Sequence, residues 1–250
     1  MLVAAAVCPC PPVLVPEVAQ GAASELDGLR AACREALRAV AAARPGLLLV
    51  VAPAGPGEEG HYPGGSRGSL RGFGVDVDAV LAPVRQDGGD PPGGTAGAGE
   101  ATGRALPPAL TVAAWLLRHA SWDAAPVEGL AVGETLEPER CAATGRELAG
   151  RAPRVALLAM GDGSACRSAR APGAYDARAA GFDAAAARAL AAADTAALAA
   201  TDPALATALH AAGRPVWQVL AGAASGAGLD GRLLYDDAPY GVGYFVARWT

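Results

Sequence analysis

The sequence contains no lysine, few aromatic residues and no excess of positive charge. All 20 basic residues are arginine, against 25 acidic residues, which gives a formal net charge of −5. Nucleic-acid-binding domains usually carry a basic patch, so this balance argues against a nucleic-acid partner. The exclusive use of arginine, together with abundant Ala, Gly and Pro, is typical of a genome rich in G and C.

Long hydrophobic runs are also missing. No segment approaches the run of about 20 apolar residues that a transmembrane helix needs, so we expect no membrane partner. The apolar residues 2–7 have no basic segment before them and are followed at once by Pro9. That pattern differs from a secretory signal, and we therefore expect a cytoplasmic protein.

Cysteine and histidine are scarce, and their spacing does not suggest a disulfide framework or a zinc knuckle. The cysteines are five in number and form no C-x-x-C pair: Cys8, Cys10, Cys33, Cys141 and Cys166. We expect most of them to be small buried side chains. Of the three histidines, His119 and His210 fall near helix C-termini, where the helix dipole explains them. A three-histidine metal centre would need all three in one place.

Hydrophobic residues make up 52% of the 250 residues, which is enough for one sizeable core. We therefore predict a single domain over residues 1–250. Continuous apolar runs predict buried strands, and these lie at Leu2–Cys8, 47–51, 129–132 and Val155–Met160, with closing strands at 232–235 and 243–247. Aromatic residues are only 5%, so Ala, Val and Leu must fill most of the core.

Helical patterns alternate with these strands. One stripe of apolar residues recurs at steps of three and four, namely Leu26, Leu29, Cys33, Leu37 and Val40. Residues 53–74 form a long loop rich in Gly and Pro, and residues 85–103 read as a mobile loop because they are almost all Gly, Asp, Pro, Thr and Ala. The alternation predicts a three-layer α/β/α fold with a mixed, mainly parallel central sheet.

Two segments that follow predicted strands are candidates for chemistry, because loops at the carboxyl ends of strands line clefts in α/β sheets. Cys10 follows the first strand, and its thiol is either a structural side chain or a ligand for a soft metal. The sequence Gly161-Asp162-Gly163-Ser164 follows a later strand. It is either an anion-binding turn built from backbone N–H groups or a tight turn whose glycines take positive φ.

Two further functions stay open at this point. Cys10, His61 and Asp237 could converge on one divalent metal ion, and the thiolate would favour zinc or copper. Alternatively, Asp162, Ser164 or Cys10 could support metal-free hydrolysis or group transfer, although no histidine base stands beside them in the sequence. His61 could equally be a solvated loop residue, and Asp237 could belong to a turn.

Three segments in this order resemble the class III extradiol ring-cleavage dioxygenases, in particular the LigB-like, protocatechuate 4,5-dioxygenase β-subunit family. They are residues 8–17, 161–164 and 239–248, and the resemblance covers nearly all of the chain. It implies a LigB-like fold. Members of that family hold one ferrous ion with two histidines and a glutamate, open catechol rings with dioxygen, and use a further histidine in acid–base chemistry.

This sequence departs from the family at each of those positions. Cys10 and Gly55 stand where the two ligand histidines are expected, Tyr240 where the glutamate is expected, and Ala165 where the acid–base histidine is expected. With Pro11 and His61, they should line the old cleft. These side chains do not replace imidazole and carboxylate around iron.

The resemblance with these departures implies a protein without dioxygenase activity, which binds a small molecule or a partner in the cleft and needs no cofactor. The alternative is a metal-dependent oxidoreductase with a rearranged site for one divalent metal ion, which is Fe²⁺ in the family. The sequence leaves open whether the protein is an enzyme. A homodimer is expected only because dimers are common among proteins of this kind.

Overall fold

The computed structural model describes residues 1–83 and 104–250, so the mobile loop expected at 85–103 lies outside the described residues. The strands of the described part are β1 (Leu2–Cys8), β2 (Leu47–Ala54), β3 (Gly60–Tyr62), β4 (Arg67–Ser69), β5 (Asp78–Val80), β6 (Val127–Gly133), β7 (Val155–Met160), β8 (Gly231–Asp237) and β9 (Tyr244–Trp249). The α-helices are α1 (Pro16–Ala19), α2 (Asp27–Ala42), α3 (Pro108–His119), α4 (Pro138–Ala149), α5 (Ala179–Ala192), α6 (Thr195–Ala199), α7 (Pro203–Ala208) and α8 (Arg214–Ala224).

Seven of the strands form the central sheet, in the order β3-β6-β2-β7-β1-β9-β8. The four strands β6, β2, β7 and β1 are parallel, and β3, β9 and β8 run antiparallel to their neighbours. Helices α2 and α3 bury their apolar residues against one face, and α4, α5 and α8 pack on the other. The predicted three-layer α/β/α fold with a mixed, mainly parallel sheet is therefore confirmed.

The position of β7 differs from a simple reading of the chain order. A strand, helix and strand in succession suggest that β1 and β2 are neighbours, but β7 lies between them. Leu2 of β1 and Leu47 of β2 both pair with Val155. Every residue of β7 is buried, which suits the central position, because a parallel strand covered on both faces is apolar throughout. This insertion sets which loops meet at the edge of the sheet.

The helix and cysteine predictions agree with the structure. Leu29, Cys33, Leu37 and Val40 are all buried on α2, where they face β1 and its neighbours. All five cysteines are free and buried. Among the described residues, no helix is both long enough and apolar enough to cross a membrane.

Candidate functional site

The carboxyl ends of the adjacent parallel strands β1 and β7 meet at one edge of the sheet, and we call the space between the loops that follow them the crevice. The chain leaves β1 towards α2 on one face of the sheet and leaves β7 towards α5 on the opposite face. Neighbouring strands whose connections depart to opposite faces leave a gap between their loops, and this is where open α/β sheets bind ligands. The loop after β1 carries Cys10, and the loop after β7 carries Asp162.

Cys10 and Asp162 are joined directly across this crevice. The backbone N–H of Cys10 donates a hydrogen bond to Asp162 Oδ1, and the N–O distance is 2.9 Å. The two residues are 152 positions apart in the chain. The sequence therefore identified two candidate residues that the fold brings into contact.

Tyr244, at the start of β9, completes the site. The backbone N–H of Gly163 donates to Gly243 O at 2.7 Å, and the N–H of Gly243 donates to Ser164 O at 2.9 Å. Gly163 and Ser164 together pair with the single residue Gly243, as in a β-bulge. This pairing places Asp162 beside Tyr244. Residues opposite one another in such a pair have Cβ atoms about 5 Å apart. We call Asp162, Cys10 and Tyr244 the Asp162 cluster.

Two polar atoms of the Asp162 cluster have no hydrogen-bond partner within the described residues: Asp162 Oδ2 and the Tyr244 hydroxyl. In the described part of the chain, the only fully buried side-chain nitrogen or oxygen without a partner is Trp217 Nε1. Asp162 is partly exposed, whereas Tyr244 is only 2% exposed. The cluster presents a carboxyl oxygen and a phenol hydroxyl that a ligand can contact.

Burial sets the ionisation of all three groups. It raises the pKa of Asp162 to about 7, and the hydrogen bond from Cys10 N–H opposes this rise. The pKa of the Cys10 thiol is well above its usual value because of burial and then because of the carboxylates of Asp162 and Glu134. The pKa of Tyr244 is raised by burial and by Asp162 and Cys10. Near neutral pH the thiol and the phenol are protonated, whereas Asp162 is divided between both forms.

The turn that carries Asp162 is anchored to α5 by the buried Asp183. Asp183 Oδ1 accepts the backbone N–H of Ser164 at 2.8 Å, and Oδ2 accepts the Ser164 hydroxyl at 3.0 Å. Arg167 also donates to Oδ2 at 3.0 Å. Ser164 has no exposed surface, so its hydroxyl holds the turn and is not offered to a substrate.

The glycines of this turn are required for close approach rather than for an unusual φ. Neither Gly161 nor Gly163 has a positive φ, so the interpretation as a positive-φ turn is wrong. A Cβ at Gly161 would lie 2.5 Å from Gly213 Cα, and one at Gly163 would lie 2.7 Å from the Phe245 ring. The missing side chains let the turn pack against the start of α8 and against β9.

The anion-binding interpretation of the turn does not fit its hydrogen bonds. An anion cradle needs free backbone N–H groups. Those of Gly161, Gly163 and Ser164 already donate, and their acceptors are Cys8 O, Gly243 O and Asp183 Oδ1. The Asp162 carboxylate would also repel an anion at this place.

The tentative metal set of Cys10, His61 and Asp237 does not converge. His61 lies on the edge strand β3, where its Nε2 is 2.9 Å from Glu128 Oε2. At the usual spacing of neighbouring strands, His61 is about 19 Å from β1 and about 29 Å from Asp237 on β8. In the described ranges 1–83 and 104–250, no group of three or more His, Cys, Asp or Glu side chains could hold a metal ion.

The other two histidines also lie outside the crevice. His119 Nδ1 is 2.8 Å from Trp115 O at the end of α3, and its ring stacks on Trp115 with centroids 3.9 Å apart. His210 is exposed just after α7. Neither contacts the Asp162 cluster, in agreement with the prediction that both belong to helix ends.

Gly55 and Pro11 lie at the same edge of the sheet as the cluster. Gly55 follows the last residue of β2, and its N–H donates to the Glu58 carboxylate at 3.1 Å. Pro11 is buried beside Cys10, and its carbonyl accepts the N–H of Leu14. Neither residue offers an ionisable side chain.

Tyr240 and Ala165 make different contacts. The Tyr240 hydroxyl donates to Glu25 Oε2 at 3.0 Å and so is directed to the segment before α2. Ala165 is partly buried and its N–H donates to Leu209 O, in the segment after α7. The tyrosine on which the charges of Asp162 and Cys10 act is Tyr244, whereas Tyr240 bonds Glu25.

Sequence reasoning missed Tyr244, Asp183 and Glu134. In the sequence, Tyr244 is one more apolar-looking residue of a closing strand, and Asp183 is one acidic residue in an Ala-rich helix. Glu134 follows β6, and its negative charge contributes to the raised pKa of the Cys10 thiol. A strand-end position was a usable signal for Glu134, whereas the other two depend on tertiary pairing.

A cavity of about 470 Å³ lies on the other side of the molecule from α2, between α5 and the α6–α7 segment. Ala, Leu and Phe side chains line most of it, with Arg178 and Asp202 at its polar parts. Both charged groups are already engaged, Arg178 with Asp176 and Asp202 as the N-cap of α7. The cavity is therefore mainly apolar, and its two charged side chains already have partners.

No protein-family model matches the chain, and no curated protein matches it. The likeness to class III extradiol dioxygenases thus rests on the three sequence segments alone and stays a prediction.

Proposed function

We propose that this protein binds a small molecule in the crevice between β1 and β7 and is not an iron-dependent ring-cleavage dioxygenase. The observation that carries the proposal is the Asp162 cluster. A carboxyl, a thiol and a phenol meet at the position where open α/β sheets bind ligands, and two of their polar atoms are unpartnered.

The residue types at this edge do not fit ferrous iron. Non-haem iron sites of the two-histidine-one-carboxylate type need imidazole nitrogens, and the three histidines of the chain lie elsewhere. The Asp162 cluster contains no imidazole and has the Cys10 thiol in its place. The cluster could supply one carboxylate ligand, that of Asp162.

The charge of the site favours an uncharged or cationic ligand. Asp162 is partly ionised near neutral pH, and Glu134 adds a second negative charge near Cys10. An anionic ligand would be repelled by both. A ligand with one hydrogen-bond donor and one acceptor can pair with Asp162 Oδ2 and with the Tyr244 hydroxyl.

A fragment survey by saturation-transfer NMR tests this proposal. We expect uncharged and cationic aromatic or cyclic fragments with a hydroxyl or carbonyl group to bind, and their carboxylate analogues to bind at least about tenfold more weakly. Tyr244→Phe should weaken binding, because it removes the phenol hydroxyl. The exposed Asp236→Asn is the matched control and should not change it. Binding of carboxylates in preference to neutral fragments, or binding untouched by Tyr244→Phe, would contradict the proposal.

Iron loading is the second test. Protein purified without chelator and incubated anaerobically with Fe²⁺ should retain well under one iron per chain after desalting, and catechol should cause no enzyme-dependent oxygen uptake. Mass spectrometry of the metal content and an oxygen electrode measure the two quantities. Retention of one iron per chain that is lost in Cys10→Ala would instead favour the alternative, a metal-dependent oxidoreductase with a rearranged site.

A further inference from the structure

We infer that the Asp162 cluster catalyses metal-free proton transfer at a carbon next to the carbonyl group of an uncharged substrate. In this inference Asp162 accepts and returns the proton, and Tyr244 donates a hydrogen bond to the carbonyl oxygen. The inference rests on the proposed function, since it requires that the crevice bind a small molecule.

The first argument is the way Asp162 is held. Its Oδ1 is fixed by the N–H of Cys10, and the turn behind it is anchored by the bonds from Ser164 to Asp183. Oδ2 has no partner within the described residues. A general base must be held rigidly and must keep one lone pair free for the substrate proton, and this carboxyl meets both conditions.

The second argument is the position of Tyr244. Its backbone neighbour Gly243 pairs with Gly163 and Ser164, which brings the phenol alongside Asp162. The tyrosine side chain is much longer than that of aspartate, and the charges of Asp162 and Cys10 act on its phenol. A carbonyl oxygen and the adjacent carbon of one substrate can therefore each contact a different group. A largely buried phenol without a competing partner is a strong donor to a developing negative charge.

The reaction is balanced without a cofactor. The C–H proton passes to Asp162 Oδ2, the C–H electron pair forms a carbon–carbon double bond, and the carbonyl π pair moves onto oxygen. Tyr244 stabilises that enolate by its O–H hydrogen bond. The protonated Asp162 then returns the proton to the same carbon, which gives exchange, or to a conjugated carbon, which gives isomerisation. The carboxylate is regenerated and nothing is oxidised or reduced.

The electrostatics of the cluster agree with this chemistry. The pKa of Asp162 is raised to about 7 by burial, and a base is most effective when its pKa is near the working pH. The titratable groups that interact with it are Cys10 and Tyr244; Glu134 acts in turn on Cys10, and Tyr240 and Tyr235 act on Tyr244. Burial keeps the Cys10 thiol protonated, so it does not compete as a nucleophile for the carbonyl carbon.

The test uses cyclohex-3-enone, an uncharged ketone whose isomerisation to cyclohex-2-enone is followed by ultraviolet absorbance. Wild-type protein should accelerate this isomerisation saturably, with a rate that rises with pH through about 7 as Asp162 ionises. Asp162→Asn keeps the Oδ1 acceptor for Cys10 and should lower the rate at least about 100-fold. Tyr244→Phe should lower it about 10-fold or more. Asp236→Asn should leave it unchanged.

Binding of cyclohex-3-enone is measured on the same samples by saturation-transfer NMR, and circular dichroism checks that each variant is folded. If the ketone binds and is not isomerised, or if Asp162→Asn isomerises it as fast as wild type, proton transfer by Asp162 is overturned while small-molecule binding stands. If the ketone does not bind, the inferred substrate class is wrong, and the fragment survey decides separately whether the crevice binds other ligands.

Discussion

Asp183→Ala is expected to lower the free energy of unfolding by about 3–5 kcal/mol, the usual cost of removing one partner from a buried charged pair. Asp183 is 1% exposed and accepts three hydrogen bonds, two from Ser164 and one from Arg167. Its removal leaves the N–H and the hydroxyl of Ser164 buried without partners. It also takes the partner from Arg167, which is only partly exposed.

Urea unfolding, monitored by circular dichroism, measures this loss of stability. A graded series of variants assigns the loss to the hydrogen bonds of Asp183. Ser164→Ala removes one of the three bonds and should cost about 1–2 kcal/mol. Asp183→Asn keeps acceptor oxygen but loses the charge, so it should fall between the other two variants. Asp78→Ala breaks an exposed pair with Arg71 and serves as the control, with no resolvable change expected. Equal losses in Asp183→Ala and the control would show that the anchor contributes nothing.

Asp162→Asn is expected to make the protein more stable than wild type above pH 7, by about 2–4 kcal/mol, and nearly equal to it at about pH 4 and below. The pKa of Asp162 is about 7 in the folded protein, against a model value of 3.8. Asparagine has the same shape, keeps the acceptor for the N–H of Cys10 and cannot ionise. The variant therefore removes the cost of burying the negative charge.

The direction follows from proton binding. Between pH 4 and pH 7 the folded wild-type chain binds a proton at Asp162 that the unfolded chain has lost, so stability falls as the pH rises through this window. All other groups titrate alike in both proteins, and their contributions cancel in the difference. Urea midpoints measured from pH 4.5 to 8.5 give that difference. Parallel stability curves for the two proteins would show that the pKa of Asp162 is not raised.

Asp183 and Asp162 have different roles at the same turn. Asp183 fixes the segment from Gly161 to Ser164 on α5, and Asp162 meets Cys10 and the crevice. Asp183→Ala removes three hydrogen bonds, whereas Asp162→Asn keeps the bond from Cys10 and removes only a buried charge, so these two substitutions should have opposite effects on stability near neutral pH. An anchor that stabilises and a site residue that destabilises are expected when a carboxyl is kept partly buried for its chemistry.

The fold was largely predictable from the sequence. The apolar runs of β1, β2 and β7 and the helical stripe of α2 each had the expected structure, because continuous runs and steps of three and four report burial locally. Their alternation was sufficient to predict a three-layer α/β/α architecture. The order of strands was not predictable, because a crossover helix can skip one strand position without any change in its own sequence pattern.

From the amino-acid pattern one can infer that Cys10 and Asp162 follow buried strands, and hence that both stand at the carboxyl edge of the sheet. The folded chain is needed to learn that β7 lies beside β1, so that these two residues meet. It also shows that Tyr244 follows the residue paired with their turn, and that His61 and Asp237 are separated by the width of the sheet. The physical reason is that burial is encoded by local periodicity, whereas strand order and pairing depend on contacts between segments more than 100 residues apart.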